Sequence, residues 1–285
     1  MSKLDVLFVH PNGAPIIYQK LSKEYSAIEP PIWAALLAQN ARKNGYSTRI
    51  LDCEAMRIDA AQSAEAISLY DPRLVVIVIY GQQPSASTQN MIGTRYLLLP
   101  MGNYRTANWH AMTNGDDRKP FASLYTSLGC PFKCSFCCIN APFGNNNLEN
   151  WDYGRNKFRF WDPEFIISEF DQIAEMGVKN VRISDEMFFL NKKHYLPIVE
   201  NLAEREYKFN MWAYSRVDTC RKQYLELFKK AGINWLALGI EAASRKVRRE
   251  ITKGRFEDVD IQEIVQTIRD ADINVGGNFI FGFPN

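Results

Sequence analysis

No apolar run among the 285 residues approaches the length of a membrane span, so a transmembrane helix is not expected. An excess of charge of one sign is also missing. The 34 Lys and Arg stand against 32 Asp and Glu, and a net charge of +2 names no class of partner. The basic residues are dispersed, apart from Arg245 to Arg249, which read as a solvated helix face and not as a nucleic-acid patch. Histidine is scarce, and His110 and His194 lack metal-ligand spacing. No phosphate-cradling G-x-G-x-x-G follows the first strand-like run, which argues against a nicotinamide or flavin dinucleotide. The opening Met-Ser-Lys-Leu-Asp leads straight into that run without a signal peptide, so a cytoplasmic protein is expected. In a reducing compartment, six cysteines serve metals and catalysis more often than disulfides, and Cys53 and Cys220 read as bystanders.

Three of the cysteines are placed with purpose. Cys130, Cys134 and Cys137 stand as C-x-x-x-C-x-x-C on a loop that leaves a strand-like run from Phe121 to Gly129. Thiolates are soft ligands suited to iron-sulfur clusters and zinc, and three on one short loop can hold three irons of a 4Fe-4S cube. The fourth iron is then free to take a substrate. The alternatives are zinc held with the adjacent Cys138, an electron-transfer cluster with a fourth cysteine, or ordinary buried thiols. Cys138 directly follows Cys137, which is awkward for two ligands of one ion. No second C-x-x-C appears, so the paired spacings of structural zinc sites are missing.

The segment Leu128-Gly129-Cys130-Pro131-Phe132-Lys133-Cys134-Ser135-Phe136-Cys137, with aromatic Phe136 before the last cysteine, resembles the cluster loop of the radical SAM superfamily. That resemblance implies a 4Fe-4S cluster held by Cys130, Cys134 and Cys137, with Phe136 beside it. It implies S-adenosylmethionine chelated at the open iron and cleaved by one electron to a 5′-deoxyadenosyl radical, the cofactors carrying the hard chemistry. An external electron donor such as a flavodoxin or ferredoxin and a small-molecule substrate follow from it, with nucleic acid and membrane not expected as partners.

The length suggests about two domains, and 46% apolar content allows a sizeable core. The first part alternates strand and helix: Leu4 to His10, a helix from Pro31 to Gly45, a strand from Ser47 to Cys53, a helix from Ala61 to Tyr70, and Arg73 to Tyr80. The run Leu-Val-Val-Ile-Val-Ile within the last is the pattern of a strand covered on both faces of a parallel sheet. This predicts an incomplete, Rossmann-like, doubly wound domain over 1–94, with ligands beyond the carboxyl ends of its strands. Its turns, Val9-His10-Pro11-Asn12, Glu29-Pro30-Pro31-Ile32-Trp33 and Ile79-Tyr80-Gly81-Gln82, resemble the cobalamin-binding domain that precedes many radical SAM domains. The resemblance implies cobalamin near His10, Asn12, Glu29, Tyr80 and Gln82. No D-x-H-x-x-G is present, so the cobalt is not held by a histidine of that motif. Such a domain has about five strands, and the last two are not evident before a linker over 95–120.

From Phe121 the pattern is strand and helix in alternation. Strands are expected at Phe121 to Ser127, Val178 to Ser184, Phe209 to Tyr214, Trp235 to Ile240 and Asn274 to Phe281, with helices at Pro163 to Met176, Lys193 to Glu206, Arg221 to Ala231 and Asp258 to Asp270. This gives an α/β architecture whose second domain, 121–285, is a partial (β/α) barrel that stops after the fifth strand. Barrel sites lie at the carboxyl ends of strands. By resemblance, Asp185 and Glu186 meet the ammonium of S-adenosylmethionine, Arg216 its carboxylate, Glu241 its ribose, and the segment ending at Gly282 its adenine. A salt bridge from Arg216 to Asp185 or Asp218 and a capping role for Glu241 are the structural alternatives.

The resulting expectation is a radical SAM enzyme of the cobalamin-binding subfamily, most often a C-methyltransferase. An RNA methylthiotransferase is the enzymatic alternative, but that family carries three further cysteines in its first domain, which Cys53 alone does not supply. A non-catalytic cobalamin or iron-sulfur binding module is the other.

Overall fold

The computed structural model describes residues 4–13, 27–78, 99–115, 117–132, 134–137, 158–252 and 258–283. The chain divides into two compact units, Met1–Ser123 with Glu169–Asn180, and Leu124–Ser168 with Val181–Asn285. Among the described residues no helix is long and apolar enough to cross a membrane.

The first unit is built on three parallel strands, β1 (Val6–His10), β2 (Thr48–Asp52) and β3 (Leu74–Ile77), in the order β2-β1-β3. The chain passes first to one side of β1 and then to the other, which opens a crevice at the carboxyl end of β1. Helix α1 (Ile32–Lys43) buries Ile32, Trp33, Leu36 and three small alanines. It ends where Gly45 takes a left-handed φ of +87° and donates its N–H to the Arg42 carbonyl. A short helix, α2 (Cys53–Met56), follows β2 directly, capped by the Asp52 carboxylate. The next helix, α3 (Ala60–Tyr70), opens on a capping box between Asp59 and Gln62. Its Ala66, Ile67 and Tyr70 pack on a core of Leu7, Val9, Leu51 and Cys53.

The elements expected here form, but β3 differs in burial from the sequence reading. Leu74 is 54% exposed and Ile77 59%, so the apolar run is not covered on both faces. The reason is position: among the described residues β3 is the outer strand, with β1 beside it in the sheet. Tyr80 and Gln82 lie outside the described residues. Of the segment expected to be a linker, the described part packs into the first unit, where buried Tyr104 donates its hydroxyl to Asp52 at 2.8 Å.

A second sheet runs β10-β9-β8-β7-β4, with β4 at Phe121–Leu124, β7 at Asn180–Ile183, β8 at Asn210–Arg216, β9 at Ile233–Glu241 and β10 at Asn274–Phe279. A two-residue antiparallel ladder, β5 (Ser127–Leu128) with β6 (Arg159–Phe160), leads into the cysteine loop and was not foreseen. The helices are α4 (Pro163–Glu175), α5 (Lys192–Glu204), α6 (Leu225–Lys230), α7 (Arg245–Thr252) and α8 (Ile261–Asp270). Strands β8, β9 and β10 are parallel, and Met211, Ala213, Leu236 and Leu238 are fully buried along the first two. Sequential neighbours joined by helices are the (β/α) repeat, and among the described residues β4 and β10 are the outer strands.

Candidate functional site

The cysteine loop begins where Gly129 turns the chain with a left-handed φ of +89°, a conformation open to glycine at little cost. Its N–H donates to Glu186 Oε2 at 3.1 Å. A second anchor lies between the last two cysteines, where Ser135 donates its N–H to the Ile251 carbonyl of α7 at 2.9 Å. Cys130 is buried against Met187, with Phe132, Phe158 and Leu190 around it, whereas Cys134 is half-buried and Cys137 exposed. Phe136 stands on the exposed side, its ring 5.6 Å from that of Phe283. Gly282, beside Phe283, is exposed as well, with a left-handed φ of +92°.

All three thiols are free of disulfides. Burial, and then the charges of Cys134, Cys137 and Glu186, push the Cys130 thiol up to about 12. Burial raises Cys134 too, against the pull of the Arg216 guanidinium. Such thiols stay protonated by themselves and ionise when a strongly cationic centre displaces their protons. Among the described residues no three His, Cys, Asp or Glu side chains are placed to share a single metal ion. An iron-sulfur cube, which gives each sulfur its own iron, fits this donor set. Cys138 lies outside the described residues.

The two acids after β7 part company. Asp185 is fully buried, and its carboxylate accepts from Thr126 N–H at 2.6 Å, Thr126 Oγ1 at 2.6 Å and Ser127 Oγ at 2.5 Å. It pins the base of the cysteine loop through Thr126 and Ser127, whereas Glu186 reaches the loop only at the Gly129 N–H. Burial raises its pKa to about 6 against those hydrogen bonds. Thr126 Oγ1, having given its proton to Asp185, accepts from His194 Nε2 at 2.9 Å, and burial holds that imidazole neutral, its pKa lowered to about 4. Glu186 is only partly covered, and burial followed by the Asp185 charge raises it to about 7. A carboxylate in that state gains from a cationic ligand.

Arg216 ends β8 with its Nε donating to Asp218 Oδ1 at 2.8 Å and its Nη2 to Asp218 Oδ2. Of the alternatives left by the sequence, the bridge to Asp218 is the one formed. The guanidinium also lies 3.8 Å over the Phe132 ring, so it fastens the loop between the first two cysteines. Glu241, the last residue of β9, holds a left-handed φ of +65°, rare for a residue with a side chain. The ladder fixes it there: its carbonyl accepts from Ile280 N–H at 2.8 Å, and the β9–β10 register skips Ile240. Its carboxylate packs over Gly239, where a Cβ would meet Glu241 Oε1 at 2.7 Å. Burial raises its pKa, opposed by Arg216. Gly239, Phe132, Thr126 and Ser127 are parts of the site that sequence reasoning did not assign.

In the first unit, His10 is buried at the end of β1 with Nε2 3.6 Å from Glu54 Oε2. Burial lowers its pKa, and the Asp52 charge opposes that. Glu54 rises to about 7 through burial and then the charges of Asp52 and Glu29. Asn12 donates Nδ2 to the Ile58 carbonyl at 3.3 Å. The structure thus gathers His10 and Glu29 around Glu54, and Asn12 near the same strand end.

A family model described as the radical SAM superfamily matches residues 124–285. An uncharacterized methyltransferase of Pyrococcus horikoshii is 30% identical over 191 residues, covering 67% of this chain and 37% of its own length. The structure of the radical S-adenosylmethionine methyltransferase TsrM from Kitasatospora setae, with cobalamin and a [4Fe-4S] cluster bound, superposes with a TM-score of 0.64 at 16% identity. It covers 100% of this chain and 70% of that one. The cobalamin-dependent S-adenosylmethionine radical enzyme OxsB, with aqua-cobalamin and S-adenosylmethionine bound, gives a TM-score of 0.58 at 12% identity, covering 98% and 49%. These two likenesses concern the fold. The chain spans well under half the length of that curated relative.

Proposed function

The chain belongs to the radical SAM superfamily, since the family model covers more than half of it, and we propose that it is a C-methyltransferase of the cobalamin-binding branch. The observation that carries the reading is the loop with Cys130, Cys134 and Cys137, anchored at Gly129, Phe132 and Ser135 at the carboxyl ends of parallel strands. When bound, the cluster supplies one electron to S-adenosylmethionine, whose cleavage starts radical chemistry on a small-molecule substrate.

The chain's own residues would act as follows. Cys130, Cys134 and Cys137 hold three irons. Glu186 takes the ammonium of S-adenosylmethionine, while Asp185 keeps the loop in place from beneath. Arg216 is a positioning residue whose charge favours the Cys134 thiolate and whose plane holds Phe132. Glu241 presents a carboxylate to the ribose from a fixed left-handed turn. Gly282 would line the adenine, with Phe136 beside the cluster, and Met187, Phe132 and Leu190 pack against the buried Cys130 side and keep water from it.

Cobalamin is assigned to the carboxyl end of the first sheet. The parallel order β2-β1-β3 supports this, as does the fold likeness to TsrM and OxsB, both solved with cobalamin. His10 is turned to Glu54, in keeping with a cobalt that takes no histidine from this chain. The test is incubation of anaerobically reconstituted protein with S-adenosylmethionine and a reductant. Formation of 5′-deoxyadenosine that disappears in Cys130→Ala supports the proposal, and iron loading without any cleavage product in the wild type overturns it.

A further inference from the structure

The basic stretch that the sequence presents as a solvated helix face has a second side to it. In α7, Arg248, Ile251 and Thr252 are buried and form one stripe, while Arg245, Lys246 and Arg249 are exposed on the other, with Glu250 as the one acid among them. The buried stripe ties the helix to the site at both ends. Arg248 Nη1 donates to the Ala242 and Ala243 carbonyls at 2.9 and 2.7 Å, just after Glu241, and the Ile251 carbonyl receives Ser135 N–H from between Cys134 and Cys137.

The helix's own electrostatics do not favour Arg245 and Lys246 where they stand. Arg245 and Lys246 stand in the first turn, which carries no acid, so they oppose the helix macrodipole. Arg245 and Arg249 are like charges four apart, and Arg245 also depresses the pKa of Arg248, after the effect of burial. Eight residues make a helix about 12 Å long, and the Ile251 carbonyl in its last turn holds Ser135, the residue before Phe136 and two before the exposed Cys137.

We infer that the Arg245, Lys246 and Arg249 face of α7 is the docking surface for a small acidic electron-carrier protein, which delivers its electron through the exposed Cys137 edge of the loop. This rests on the reading that the three cysteines hold a cluster. The transfer is of one electron: the carrier's flavin hydroquinone becomes a semiquinone and the cluster is reduced by one unit, with no covalent bond made or broken. Complementary charge gives such an encounter its rate and its dependence on salt.

The experiment measures the affinity of an acidic flavodoxin for the reconstituted protein at low and high salt, alongside cluster reduction by flavodoxin hydroquinone and by dithionite. The double substitution Arg245→Glu with Lys246→Glu should weaken flavodoxin binding at least tenfold at low salt and slow flavodoxin-driven reduction, with the dithionite-reduced signal unchanged. Lys222→Glu, an exposed charge elsewhere, should leave affinity within twofold. Equal affinity in the double variant and the wild type overturns the inference, as does a patch that binds an RNA oligonucleotide and not flavodoxin. If the wild type forms no dithionite-reducible cluster, the functional proposal itself fails, a result distinct from either.

Discussion

Replacing Gly239 with alanine tests how the site is built more sharply than removing a ligand does. The added methyl would stand 2.7 Å from Glu241 Oε1 and 3.8 Å from Arg216 Cγ. Ordinary contact begins at 3.4 Å, so the carboxylate must retreat by about 0.7 Å, while the backbone and Arg216 need not move. Because the obstructing atom is the far end of a side chain, the fold should tolerate the change. The lower entropy of the unfolded chain offsets it by about 0.4–1 kcal/mol, and the melting temperature should move by a few degrees at most. Function should not tolerate it. Loss of a charge-assisted hydrogen bond to a ligand costs about 1.5–3 kcal/mol, so affinity for S-adenosylmethionine should fall about tenfold to a hundredfold. Calorimetric titration of the reconstituted protein would measure this beside Glu241→Gln, which should show a loss of similar size. An affinity unchanged in Gly239→Ala but lost in Glu241→Gln would show that the placement of the carboxylate over Gly239 is not what binds the ligand. A collapse in melting temperature would refute the claim that the side chain yields first.

Other outcomes follow from the same geometry. Glu241→Gly should raise thermal stability, since a left-handed backbone at a residue with Cβ costs about 1–2 kcal/mol, yet abolish cleavage of S-adenosylmethionine; melts and product assays on one preparation check both. Glu186, raised to about 7, must release a proton to meet an ammonium below that pH, so affinity should decline as pH falls through 7, and Glu186→Gln should remove that dependence. Asp185 and His194 titrate against each other. The raised Asp185 pKa favours folding below 3.8 and loses that contribution as pH rises through about 6, whereas the lowered His194 pKa favours folding above 6.5 and loses it as pH falls through about 4. Melting temperature should therefore be nearly flat between these limits in the wild type and should fall with rising pH in His194→Gln. Leu238→Ala, in the fully buried centre of β9, should destabilise by about 2–5 kcal/mol in denaturant titration without changing metal content.

The cysteine loop was legible because three thiols at fixed spacing carry their chemistry in their identity, whatever surrounds them. The strands and helices were legible because runs such as Phe209 to Tyr214 and caps such as Asp162-Pro163 are local signals, and β8 and α4 form where those signals lie. What a residue faces is set by pairing, and pairing is not local. Asp185 and Glu186 are equivalent as sequence, and only the partners Thr126 and Ser127 show which acid is committed to the fold. Glu241 looks like any strand-end acid until the skipped Ile240 in the β9–β10 register reveals its left-handed backbone. The apolar run in β3 announced a covered strand, yet coverage depends on neighbours that a single strand cannot specify.

The central claim is that the three-cysteine loop holds a cluster with one iron open to S-adenosylmethionine. Electron paramagnetic resonance of the anaerobically reconstituted, reduced protein, recorded with and without S-adenosylmethionine, addresses it directly. A cluster signal that shifts on addition of S-adenosylmethionine is the predicted result, whereas a signal indifferent to it would contradict the account and leave a cluster that only binds or carries electrons.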